Sequence, residues 1–161
     1  MSIKLLSMDT SSSATGITIF LDSKFQGYSL LETDKKIKGE EKLNQMIKLI
    51  YNYLDKEHPD IVCSELTAVT RNPSVQRMLT EILGAIRGKC LDKSIDYYAF
   101  RPTEWRKTIE QITGIKPKSR KREDLKQWSL DVVNNYFGIE TDSNDISDSI
   151  LIGKHYIEIF S

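Results

Sequence analysis

The sequence is poor in the residues that build covalent or zinc-stapled folds. Only two cysteines and two histidines occur in 161 residues. Their wide spacing matches no zinc-ligand pattern and provides no disulfide framework. Cys63 lies in an apolar run and Cys90 near the end of a helical pattern, so both are expected as buried free thiols, which suits a reducing cytoplasm. Long hydrophobic runs are also missing. None approaches the ~20 residues of a membrane span, so no membrane partner is expected. The opening Met1-Ser2-Ile3-Lys4-Leu5-Leu6 turns polar too early for a signal peptide, and a cytoplasmic location is the expectation. Repeats, low-complexity tracts and linkers are absent. What remains, 39% hydrophobic and 29% charged residues, is a globular composition. One domain spanning 1–161 is expected, large enough to bury a core without staples.

Net charge is zero, but the charges are segregated. Nine basic residues fall between Arg101 and Lys126, against four acids. From Ser129 to Ser149 there are five acids and no Lys or Arg. A basic segment beside an acidic one fits a protein that holds a polyanion with the first and divalent cations with the second. Two ordinary solvated faces would give the same count.

Hydrophobic periodicity places the elements. Ile3–Asp9, Gly16–Leu21 and Phe25–Glu32 have strand character, joined by short turns that favour antiparallel hairpins. Leu43, Met46, Ile47, Ile50, Tyr51 and Leu54 repeat at helical spacing until His58-Pro59-Asp60 interrupts. Ile61–Glu65 is a fourth strand, set apart by that helix and therefore able to pair in parallel with the first. Asn72-Pro73 starts a second helix, whose apolar stripe of Val75, Met78, Leu79, Ile82, Leu83 and Ile86 is wider than one packing face requires. Ile95–Phe100 is a fifth strand. Arg101–Gly114 is expected as a short helix and loop, Ser119–Phe137 as a long helix stopped by Gly138, and Ser143–Phe160 as the last helix. The order β-β-β-α-β-α-β-α-α predicts an α/β fold with one mixed five-stranded sheet flanked by helices.

Two strands end in acids. Asp9 closes the first and Glu65 the fourth, where an unpaired carboxylate would be costly to bury. If these strands are parallel neighbours, about 4.8 Å apart, both acids share one sheet edge. Asp145 and Asp148 stand three residues apart on one face of the last helix. Taken alone, that pair is also what a helix dipole favours in its first turns. Gathered together, the four would repel one another and take up protons unless cations were present. All-oxygen ligation suits Mg²⁺ or Mn²⁺, and two such ions are a known device for in-line attack on a phosphodiester.

Four segments resemble the RuvC-type Holliday junction resolvases of the ribonuclease-H-like superfamily. They are Met8-Asp9-Thr10-Ser11-Ser12-Ser13-Ala14-Thr15-Gly16, Ile61-Val62-Cys63-Ser64-Glu65, Leu83-Gly84-Ala85-Ile86-Arg87-Gly88 and Asn144-Asp145-Ile146-Ser147-Asp148-Ser149-Ile150. Their order covers nearly the whole chain. The Lys/Ile-rich composition is compatible with a phage-encoded member, which would act in its host's cytoplasm. The resemblance implies a ribonuclease-H-like fold and a homodimer on a four-way DNA junction, nicking two like strands. It implies Asp9, Glu65, Asp145 and Asp148 as ligands of two Mg²⁺ or Mn²⁺ ions per site. It also implies a basic residue near the start of the helix before the last. Lys118 is the candidate, either stabilising charge at the phosphate or only positioning it. Lys116, Arg120, Lys121 and Arg122, with Arg71, would contact DNA. Met78, Ile82, Gly84 and Gly88 would form the dimer interface. One position departs from the family. An aromatic often stands three residues beyond the second carboxylate and stacks on a base at the crossover, and here that residue is Ala68. Relaxed selectivity, extending to forks, is the expectation.

Other readings use the same residues. A ribonuclease H or transposase-like nuclease would need the same four acids, although Gly84 and Gly88 argue for a dimer helix. A sugar-kinase or actin-like ATPase lobe also opens on a strand, an Asp and a Ser/Thr/Gly turn, but eight glycines in 161 residues are few for two lobes with phosphate loops. A catalytically inactive DNA-binding module would have no need of four intact acids.

Overall fold

A computed structural model of the protein describes residues 1–67 and 72–161. The leading segments form an antiparallel meander of β1 (Lys4–Asp9), β2 (Ala14–Leu21) and β3 (Lys24–Glu32). Asp22 and Ser23, with φ of 48° and 67°, make the two-residue turn between β2 and β3. Paired positive φ values match the right-handed strand twist. Helix α1 (Gly39–Glu57) follows and stops at His58, which is left-handed with φ of 48°. The chain re-enters the sheet as β4 (Ile61–Glu65), parallel to β1. Helix α2 (Pro73–Asp92) is capped by the Asn72 side chain, which accepts from the N–H groups of Ser74 and Val75. Strand β5 (Asp96–Phe100) pairs in parallel with β4 and completes a sheet of order β3-β2-β1-β4-β5.

Three helices close the chain. The segment expected as a short helix and loop is a full helix, α3 (Pro102–Thr113), with Pro102 at its start and left-handed Gly114 at its end. Trp105 and Ile109, one turn apart, bury its inner face. The long helix expected from Ser119 begins later, as α4 (Arg122–Asp131), and continues into a π-helical turn, Val132–Tyr136. Helix α5 (Asn144–Phe160) starts on a Ser143 cap, whose hydroxyl accepts from Ile146 N–H.

Strand alternation divides the core between the two faces of the sheet. Leu6, Met8, Ile17 and Val62 pack with α1 and α2. Leu5, Phe20 and Cys63 pack with α3, α4 and α5. Helix α5 lies close on β1 and β2. Ser7 donates to the Ser149 carbonyl at 2.6 Å, and the Thr18 and Ser149 hydroxyls meet at 2.6 Å. A Cβ on Gly153 would come within 2.3 Å of the Phe20 ring, so a side chain there would push the helix off the sheet. Among the described residues no helix is long and apolar enough to cross a membrane.

Candidate active site

Sheet register brings the first two acids together. Met8 pairs with Ser64 across the parallel β1–β4 ladder, so Asp9 and Glu65 are the next residues on adjacent strands. Parity puts Asp9 on the same face as Leu5 and Ser7, and Glu65 on the same face as Cys63. That is the face covered by α5.

The second pair arrives from α5. Its first turn descends on β2 at Gly16, where a Cβ would lie 2.1 Å from the Asp145 carbonyl oxygen. Only the absence of a side chain there lets Asp145 and Asp148 approach the sheet edge. Asp148 is then fixed from α4, where the Ser129 hydroxyl donates to its Oδ1 at 2.6 Å. Glu65 is fixed from α3, where the Trp105 indole N–H donates to its Oε2 at 2.7 Å.

Asp9, Glu65, Asp145 and Asp148 line one cleft of about 730 Å³. Arg106, Arg120, Arg122 and Lys126 line it too, and Val75, Met78 and Leu79 of α2 supply an apolar wall. The basic segment is therefore split by the fold. Lys116, Lys118 and Lys121 are exposed between α3 and α4 and do not line the cleft. Arg120 reaches Glu110 at 2.6 Å, a close ion pair without good hydrogen-bond alignment. Arg106 and Lys126, counted in the basic segment but not singled out from sequence, are the cations that act on the acids.

Charge explains the acids' behaviour. Asp9 lies at the floor of the cleft, reached by some water but surrounded by protein. Burial pushes its carboxyl well above the ordinary range. The charges of Asp148, Glu65 and Asp145 push the same way, and Arg106 opposes them. Glu65 is raised to about 7, mainly by burial, against the relief of the Trp105 hydrogen bond. Asp148 is raised to about 6, again mainly by burial, with Ser129 and Arg106 opposing. Asp145 is raised by burial and by Glu32, and eased by Lys126. Carboxylates that hold protons for want of positive charge form an all-oxygen donor set that fits a hard divalent cation. Among the described residues, however, no three His, Cys, Asp or Glu side chains are gathered closely enough to form a finished metal cage. The acids ring the cleft and would have to draw in to close on an ion.

The α2 residues expected at a dimer interface separate. Ile82 is fully buried in the chain's own core with Ile86, which corrects its assignment to an interface. Met78 faces the cleft and packs against the same core. Much of the wide apolar stripe is thus occupied within the chain. Gly84 and Gly88 are exposed, and a Cβ on either would meet nothing within 4 Å. Gly84 lines a shallow groove of about 330 Å³ with Leu66, Leu83, Arg87 and Tyr97. Ala68 and Arg71 lie outside the described residues.

No protein-family model and no curated protein matches the sequence. Solved structures do. Thermus thermophilus RuvC in complex with a Holliday junction substrate has a TM-score of 0.68 at 12% identity, covering 98% of this chain and 96% of that one. The fowlpox virus resolvase, solved with substrate Holliday junction DNA, has a TM-score of 0.67 at 16% identity, covering 98% and 99%. The yeast mitochondrial Holliday junction resolvase Ydc2 has a TM-score of 0.63 at 12% identity, covering 96% and 79%. The chain has the ribonuclease-H-like fold of these resolvases, over essentially its whole length.

Proposed function

We propose that this protein is a divalent-metal-dependent endonuclease that nicks four-way DNA junctions and, because Ala68 stands where an aromatic is expected, forks as well. The observation that carries the reading is the convergence of Asp9, Glu65, Asp145 and Asp148 on one cleft rimmed by Arg106, Arg120, Arg122 and Lys126. Acids alone would repel a phosphate, and cations alone would only bind it. Their combination suits hydrolysis of a phosphodiester. The fold supports the reading, since proteins of this shape have been solved on junction DNA.

In this account the four acids hold Mg²⁺ or Mn²⁺, two per site, which supply positive charge at the scissile phosphate. The chain's own residues do the rest. Trp105 and Ser129 each engage one oxygen of an acid. Arg106, from α3, lines the cleft and would stabilise charge on the bound phosphate. Arg120, Arg122 and Lys126 track the backbone of the bound strand, with Lys116, Lys118 and Lys121 contacting phosphates further out. Two copies joined at the exposed Gly84–Gly88 face of α2 would give a two-fold assembly matching a two-fold junction.

The test is a panel of labelled four-way junction, fork, duplex and RNA–DNA hybrid, each incubated in Mg²⁺ and in EDTA. Nicking of junction and fork in Mg²⁺ alone is expected. Cleavage confined to the hybrid would replace this reading with a ribonuclease H, and binding without cleavage would leave an inactive DNA-binding module.

A further inference from the structure

We infer that Trp105 is a positioning residue for the metal centre, an uncharged clamp that ties down one oxygen of Glu65 and leaves the other for the cation. The inference rests on the reading of the four acids as ligands and adds a residue to it.

Trp105 is the largest fully buried side chain of the protein, at 0% exposure. Most of its surface serves the core, and a phenyl or leucyl group could do that. Its single polar atom does something else. The indole N–H points across 40 residues of sequence to Glu65 Oε2 at 2.7 Å. Among the described residues no other hydrogen bond reaches that carboxylate, so Oε1 is left to the cleft.

Two further contacts hold the ring. Trp128 stacks on it, with centroids 6.3 Å apart and planes 22° from parallel. Trp128 is itself anchored by donating to the Ile115 carbonyl at 2.9 Å. The Arg106 guanidinium lies 4.9 Å from the Trp105 ring centre. A donor so fixed allows Glu65 few orientations.

The choice of donor matters. Indole N–H donates only, carries no charge and does not titrate in the working range. A lysine or arginine at this position would orient Glu65 but cancel the negative charge a cation needs. Trp105 orients it and leaves the charge intact. Ser129 treats Asp148 in the same way, with a neutral hydroxyl on Oδ1 at 2.6 Å. Partners behind metal ligands commonly alter affinity by about 10–100-fold when removed.

Trp105→Phe removes the donor but also opens space in the core. The sharper probe is site-specific replacement of Trp105 by its benzothiophene isostere, which keeps the shape and puts sulfur in place of N–H. The same replacement at Trp128 is the control. The full-length protein is titrated with Mn²⁺ by calorimetry without DNA, and its melting temperature in EDTA is recorded. Replacement at position 105 should weaken Mn²⁺ binding by about tenfold while leaving the melting temperature close to that of the control. In a ¹H–¹⁵N spectrum of the native protein, the Trp105 indole signal should move on adding Mg²⁺ or in Glu65→Gln, and the Trp128 signal should move less. Unchanged Mn²⁺ affinity in the position-105 isostere, with wild type binding normally, would overturn this inference alone and leave Trp105 a core residue. Failure of the wild type itself to bind Mn²⁺ would overturn the metal reading and the clamp with it.

Discussion

Gly16 lies directly beneath Asp145: a methyl group at residue 16 would stand 2.1 Å from the Asp145 carbonyl oxygen and 2.8 Å from the Ile146 nitrogen. Both contacts are to backbone, which cannot swing aside. Gly16→Ala should therefore lift the first turn of α5 and carry Asp145 and Asp148 away from Asp9 and Glu65. Overpacking of this kind costs about 1–3 kcal/mol, so melting should fall by several degrees in a protein that still folds. Junction cleavage at a temperature where the variant is fully folded should fall much further. A variant with wild-type cleavage would show that α5 needs no such close approach.

Proton uptake by the acids makes the metal-free protein's stability depend on pH. Glu65 at about 7, Asp148 at about 6, and Asp9 higher than usual all have folded values above those of the unfolded chain. The sign follows from linkage. The folded state binds more protons, so this stabilisation is complete below the unfolded values and is lost as pH rises through the folded ones. In EDTA the melting temperature should fall between roughly pH 5 and pH 8. Asp9→Asn should raise it at the upper end by removing one repelling charge, and Mg²⁺ should do the same for wild type. A metal-free protein that gains stability over this range would contradict the assignment of these shifts.

Arg106 and Lys118 make opposite predictions. Arg106 lines the cleft and acts on Asp9, Glu65 and Asp148, whereas Lys118 is exposed outside it. Arg106→Ala should lower the single-turnover cleavage rate by about 10²–10³-fold, with partial recovery in Arg106→Lys. Lys118→Ala should weaken junction binding and leave the saturated rate near wild type. The reverse pattern would return the catalytic role to the loop.

Arg122 and Lys126 should act through phosphate contacts that carry no sequence information. Neutralising both should flatten the slope of log K against log salt by about 0.9 per lost contact on duplex arms. Binding measured in EDTA at four salt concentrations gives the slope directly. An unchanged slope would place the DNA elsewhere.

The sheet was legible because its signals are local. Short apolar runs ending in Asp9 and in Glu65 mark two strands, the helix between them allows the parallel pairing that the sheet has, and the spacing of Asp145 and Asp148 puts them on one helical face. Helix α3 fills the whole stretch between Pro102 and Gly114 because Trp105 and Ile109, one turn apart, bury a continuous inner face. Which cation enters the cleft depends on how α3 and α4 cross the sheet, and no short-range pattern encodes that. Arg106 lines the cleft and Lys118, the residue the resemblance implies, does not. The width of the α2 stripe pointed to a second copy, yet Val75, Met78 and Leu79 serve the cleft wall. Gly16 carried a signal, since Thr-Gly opens a strand where glycine is otherwise unfavourable.

The four acids are proposed to form one metal-dependent cutting centre. Single-turnover nicking of a labelled four-way junction in Mg²⁺ by wild type and by Asp148→Asn, with junction binding measured in EDTA, tests it most directly. The variant is expected to bind the junction as wild type does and to leave it uncut. Wild-type cleavage by Asp148→Asn, or cleavage by wild type undiminished in EDTA, would contradict it.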